Sequence, residues 1–337
     1  MPRKARIDAP GALQHIIIRG IERRSIFKDA ADRNDFLRRL GGLLSETQTG
    51  CYAWVLMSNH VHLLLTTGRV PLATLMRRLL TGYAVSFNRR HKRHGQLFQN
   101  RYKSFLCEQD VYLKELVRYI HLNPLRAKVV KDLNQLSSYR YSGHAVLLGK
   151  MNADWQDTDY VLGIFGASKG AARRAYVTFV VRGISQGRRP DLIGGGLLRS
   201  VGGWSTLKGI SRGGVRIKGD ERILGSSKFV ERVLKEAHED YEQRVRMRAV
   251  GPGLDELIAR VAHHYGIAID DLKTASKQRT ITEARTVLCY LAVRRLMISC
   301  ADVARTLNIS PAAVSRAVGR GQMASEIKMI QKGLLDI

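Results

Sequence analysis

The chain has 337 residues, among them 56 Lys and Arg against 29 Asp and Glu, a formal net charge of +27. Hydrophobic residues make up 45% and charged residues 25%, ordinary for a globular protein with room for two or three domains. That charge points to a polyanion, and to nucleic acid ahead of a membrane surface: the sequence has no apolar run long enough to span a bilayer, no signal peptide and no lipidation motif.

In chain order, residues 13–19 (Leu-Gln-His-Ile-Ile-Ile-Arg) form a first strand candidate, rich in β-branched side chains. Asp32 is suited to cap a helix carrying Phe36, Leu37, Leu40, Leu43 and Leu44 at helical spacing. A hairpin spans Tyr52 to Leu65. A second helix runs from about Leu72 to Asn88, with Leu75, Leu79, Tyr83 and Phe87 as its apolar stripe. It ends in the basic run Arg89-Arg90-His91-Lys92-Arg93-His94, stopped by Gly95. Leu97 to Leu106 reads as a further strand, and a third helix follows Asp110 and ends at Asn123-Pro124. Helices alternating with a hairpin and further strands predict an α+β fold, a ferredoxin-like antiparallel sheet covered by helices.

Beyond this the pattern weakens. A basic helix is expected over Lys169 to Val181. Residues 183–220 are crowded with glycine and arginine and read as a loosely packed connector. A helix from about Ser227 to Arg248 precedes the boundary Gly251-Pro252-Gly253. The expected domains are therefore 1–145, a basic, glycine-rich middle at 146–250, and a helical segment at 251–337. In the last, Ser299 is placed to cap a helix with Val303, Ala304 and Leu307, and Ser310 the next, with Pro311 at its first position. This helix-turn-helix spacing offers Ala312, Ala313, Ser315, Arg316 and Arg320 to a DNA major groove; the competing reading is a purely structural three-helix bundle. The four cysteines, Cys51, Cys107, Cys289 and Cys300, have no metal or disulfide spacing. They fit a reducing cytoplasm, where a DNA-binding protein would sit at the nucleoid.

The chemistry centres on Trp54-Val55-Leu56-Met57-Ser58-Asn59-His60-Val61-His62-Leu63-Leu64-Leu65. Side chains alternate along a strand, so His60 and His62 share a face and are able to grip one metal ion. On the third helix Leu113, Leu116, Val117 and Ile120 form the core stripe. Tyr112, Tyr119 and Asn123 fall on one flank, with Tyr119 and Asn123 as i, i+4 neighbours. A tyrosine there is a nucleophile candidate towards a phosphodiester and an asparagine oxygen a metal ligand; a half-buried tyrosine beside a capping asparagine explains the same residues. Tyr83 belongs to an apolar stripe. Tyr102, between Arg101 and Lys103, is placed to stack on a base, and Arg89, Arg90, Lys92 and Arg93 to track a DNA backbone.

The hairpin segment, Gly95-Gln96-Leu97-Phe98-Gln99-Asn100-Arg101-Tyr102-Lys103, and Leu116-Val117-Arg118-Tyr119-Ile120-His121-Leu122-Asn123-Pro124-Leu125-Arg126-Ala127 together resemble the HUH-class single-tyrosine transposases, above all their REP-associated branch. The resemblance covers about residues 5–130. It implies that His60, His62 and Asn123 hold a divalent metal, Mg2+ or Mn2+. It also implies that Tyr119 attacks single-stranded or hairpin DNA drawn from repeat palindromes, forming a 5′-phosphotyrosine that a free 3′-OH later resolves. Many relatives carry glutamine at the position of Asn123, and some work as homodimers. Residues 254–320 resemble the DNA-binding domain that ends the bacterial initiator DnaA, which implies a duplex DNA partner. The expected activity is that of a transposase that nicks and rejoins DNA. The alternatives are a DNA-binding regulator that keeps the fold without strand transfer, and a metal-dependent RNA nuclease with no need of Tyr119.

Overall fold

The computed structural model describes residues 11–187, 189, 192, 220, 222–226, 228–236, 252–274, 276 and 278–321. The chain divides into two compact units, Met1–Val233 and Leu234–Ile337.

In the first unit a sheet is built from β1 (Leu13–Arg19), β2 (Gly50–Leu56), β3 (His60–Thr66), β4 (Lys103–Cys107) and the two-residue β5 (Ile223–Leu224), in the order β2-β3-β1-β4-β5. The first four strands pair antiparallel. β5 runs parallel to β4, so the sheet is mixed rather than wholly antiparallel. The donors of Leu106 and Glu108, which an open edge would leave to solvent, bond the carbonyls of Arg222 and Leu224 at 2.8 Å. Helices α1 (Ala30–Thr47) and α2 (Leu72–Arg90) cover one face, packing Phe36, Leu40, Leu79 and Tyr83 against Ile16, Ile18, Trp54 and Leu63. Helix α3 (Gln109–His121) covers the other, with Leu113, Leu116, Val117 and Ile120 against Ile17, Val55 and Leu64. A single turn, α4 (Asn123–Arg126), follows it.

Three local expectations are corrected. The cap of α1 is Asp29, whose side chain accepts from the Asp32 N–H at 3.0 Å; Asp32 lies in the first turn and accepts from the Lys28 N–H at 2.8 Å. The strand predicted over 97–106 is confined to Lys103–Cys107, because Asn100 has φ +61° and turns the chain, leaving Phe98 only a single bridge to Gly20. The segment after residue 131, part of it expected in a separate middle region, packs into this unit. Short helices α5 (Leu133–Ser138), α6 (Gly143–Leu147) and α7 (Thr158–Gly163), with α8 (Lys169–Arg182), wrap the outer edge of β2. Tyr141 O accepts from the Leu56 N–H, Tyr139 donates its hydroxyl to Leu56 O, and Trp54 Nε1 donates to Gln156 Oε1, each at 2.8–2.9 Å. The predicted helix over 169–181 is α8, and its Tyr176, Val180 and Ala172 join the α3 core. Most of the 183–220 connector and most of the 227–248 helix lie outside the described residues.

The second unit is helical: α9 (Leu254–Tyr265), a 3-10 turn (Ile269–Lys273), α10 (Arg279–Arg294), α11 (Cys300–Thr306) and α12 (Pro311–Gly321). Ser299 caps α11 through the Asp302 N–H, and Ser310 Oγ accepts from the Ala313 N–H at 3.2 Å. Val303, Leu307, Val314 and Val318 bury against Leu288, Leu291 and Ala292. Among the described residues no helix is long and apolar enough to cross a membrane.

Candidate active site

Alternation along β1 and β3 decides which side chains meet. Ile17 pairs with His62 and Arg19 with His60, so His15, His62, His60 and Arg19 lie on the α3 side of the sheet. The His60 and His62 rings are 5.2 Å apart between centroids. From above, α3 lowers Tyr119 to 5.8 Å from the His62 ring, edge to face. Two segments almost 60 residues apart in sequence thus bring the Tyr119 ring beside His62, itself beside His60.

The imidazoles are neutral. Burial pushes His60 down to about 4, with the Arg19 charge adding to it; burial also pushes His62 well below its ordinary value, with His15, His60 and Arg19 reinforcing it. The Asn59 amide oxygen, an acceptor only, lies 2.7 Å from His60 Nδ1, which fixes that proton on Nδ1 and leaves a lone pair on Nε2. His62 Nδ1 is likewise engaged, 3.0 Å from His15 Nε2, so Nε2 is its remaining nitrogen. Two neutral imidazoles with Nε2 left over suit a divalent first-row cation. Asn123 is half-buried and donates Nδ2 to Tyr119 O at 3.0 Å and Ile120 O at 3.4 Å, which leaves Oδ1 as the amide atom able to serve a cation. The guanidinium of Arg126 lies over the Tyr119 ring, 5.6 Å from its centroid.

Asp29, Asp32 and His91 also stand close enough together to hold a metal ion, on the opposite face of the sheet. Their acceptors are already used. Arg90 donates to both Asp29 oxygens at 2.6 and 2.8 Å and to Asp32 at 2.5 Å, and His91 Nε2 is 2.9 Å from Asp32. The cluster ties the start of α1 to the end of α2.

The residues expected to touch DNA are sorted by their surroundings. Arg89, Lys92, Arg101 and Lys103 are exposed cations. Arg90 is committed to Asp29 and Asp32, and half-buried Arg93 to Asn88 Oδ1 and Gln96 O. Tyr102 is buried among the α1 and α2 side chains, so its ring offers no face to a base. In the second unit Ser315 and Arg316 project from α12, whereas Arg320 turns back to Thr286 Oγ1 at 3.3 Å. The sequence reading missed His15, Arg19 and Asn59. The alternation in Leu13-Gln14-His15-Ile16-Ile17-Ile18-Arg19 held the signal for the first two, but a lone histidine in a strand has no partner spacing to mark it.

The first unit is thus an α+β domain whose sheet presents paired histidines to a tyrosine on a covering helix, and the second unit is a separate helical domain. Residues 11–123 match the family "Transposase IS200 like", and residues 254–320 match the "Bacterial dnaA protein helix-turn-helix" family. Among solved structures, a REP-associated tyrosine transposase bound to a REP hairpin matches with 18% identity and a TM-score of 0.37, over 47% of this chain and 94% of that one. No curated protein matches the chain.

Proposed function

We propose that the protein is a DNA transposase that nicks and rejoins single-stranded or hairpin DNA through a covalent bond to Tyr119. The observation that carries this reading is the 5.8 Å approach of the Tyr119 ring to His62, itself beside His60. In the proposed step the Tyr119 hydroxyl gives up its proton as its oxygen attacks the phosphorus, the bond from phosphorus to the 3′ oxygen breaks, and that oxygen leaves and takes up a proton, so that none is gained or lost overall. The 5′ phosphate stays on the tyrosine, so its bond energy is retained and a free 3′-OH reverses the step without nucleotide hydrolysis. Mg2+ or Mn2+ bound by His60, His62 and the Asn123 oxygen would polarise a phosphate oxygen and offset the charge that develops there. His60 and His62 hold their Nε2 atoms in place, Arg19 adds positive charge at the rim, and the exposed cations Arg89, Lys92, Arg101 and Lys103 attract the backbone. The helices of the second unit would hold duplex DNA, with Ser315 and Arg316 towards the groove.

The Asn123 amide bonded to its own helix favours a second reading, a DNA-binding regulator with the same fold. One experiment separates the two. The full chain is incubated with hairpin-bearing single-stranded DNA and Mn2+ or Mg2+, then run on a denaturing gel. A covalent protein–DNA band that vanishes with Tyr119→Phe supports the transposase. DNA left intact with either metal across a panel of hairpins supports the regulator.

A further inference from the structure

We propose that His15 is the positioning residue that fixes the tautomer and ring orientation of His62, and so decides whether His62 offers a lone pair to a cation. This rests on His60 and His62 being cation ligands. His15 and His62 are diagonal neighbours on β1 and β3, both buried, with Nε2 of the first 3.0 Å from Nδ1 of the second and ring centroids 5.3 Å apart. That contact holds one proton between the two ring nitrogens, and there are two ways to place it. If His15 Nε2 carries it, His62 Nδ1 is the acceptor, its own proton must sit on Nε2, and that nitrogen is closed to a metal. If His62 Nδ1 carries it, His15 Nε2 accepts and His62 Nε2 keeps its lone pair.

The His60 side makes the second arrangement the consistent one. Asn59 Oδ1 forces the His60 proton onto Nδ1, so both imidazoles then present Nε2. A ligand histidine commonly gives its second N–H to a carboxylate, a carbonyl or water, and here an imidazole takes that place. His15 also touches the nucleophile's side of the site, its ring 6.0 Å from Tyr119 and 6.1 Å from Phe105, so one side chain braces the ligand and the helix above it.

The test is Mn2+ binding to the full chain without DNA, by titration calorimetry at pH 7.5. His15→Phe keeps the ring's bulk among Phe105 and Tyr119 but cannot accept, and it should bind Mn2+ about 10–100-fold more weakly. His15→Gln, whose amide oxygen reaches the Nε2 position, should recover most of that loss. A filler role would give the reverse order, with phenylalanine at least as good as glutamine. Hairpin binding in EDTA should be unchanged in both variants. Mn2+ affinity within about threefold of the unsubstituted protein in His15→Phe overturns the proposal if His62→Ala still abolishes binding. If His62→Ala leaves the affinity unchanged, the ligand assignment itself falls. Long-range 15N–1H spectra of the unsubstituted protein check the tautomer with no variant: the His62 proton belongs on Nδ1, and a proton on Nε2 overturns the proposal.

Discussion

Replacing Tyr176 by phenylalanine removes one oxygen from a closed junction between α3, α6 and α8. The Tyr176 hydroxyl lies 2.8 Å from His121 Nδ1 and 2.6 Å from His144 Nδ1, and all three residues are buried. A hydroxyl has one proton to give, so it donates to one imidazole and accepts an N–H from the other; the two histidines are held in opposite tautomers. Phenylalanine fits the space but leaves a buried acceptor and a buried donor without a partner, at about 1–3 kcal/mol for each group. Partial relaxation brings the expected loss to about 2–4 kcal/mol, a large part of a typical stability of about 5–15 kcal/mol. Urea unfolding at pH 8, followed by the fluorescence of Trp54 and Trp155 in the first unit, measures it as a lower midpoint at unchanged slope. A loss below about 0.5 kcal/mol would refute the view that this junction holds α3 in place.

Acid should weaken the first unit well before its carboxylates titrate. The folded values of His60 and His144 are pushed down to about 4 by burial, from an ordinary value near 6.5. Between those limits the unfolded chain binds more protons than the folded one, so stability falls as pH drops from 6.5 towards 4. The slope is about 1.4 kcal/mol per pH unit for each histidine, and urea midpoints from pH 7.5 to 4.5 should trace it; a flat profile would contradict the burial of these rings. The two candidate metal places should also separate. In a His60→Ala, His62→Ala double variant, Mn2+ should no longer raise the melting temperature, because Arg90 already occupies Asp29 and Asp32. A persisting rise that disappears with Asp32→Asn would assign the metal to that cluster instead.

Local patterning carried most of the proposed site's geometry and little of its surroundings. The His-x-His alternation put both rings on one face, and the helical spacing of Tyr119 and Asn123 put them on one flank, because each depends only on a fixed repeat. His15 was not legible since its partner is 47 residues away and only the register of β1 with β3 joins them. The wrap of residues 131–182 around β2 was missed for a similar reason: Gln156 reaches Trp54 across 102 residues, a contact no short window contains. Tyr102 shows the opposite failure. Flanking cations suggested an exposed ring, but Asn100 turns the chain and delivers Tyr102 to the apolar side.

The finished ends of the sheet have a consequence for assembly. β4 has Ile223 and Leu224 alongside it, and β2 carries the bridge from Val55 to Ser142. Among the described residues, the outer backbone of β4 beside Ile223 and Leu224 and of β2 at Val55 is therefore already engaged. A second molecule adding to the sheet would have to displace these contacts, whereas one resting on the helices and loops would leave the strands that carry the histidines undisturbed.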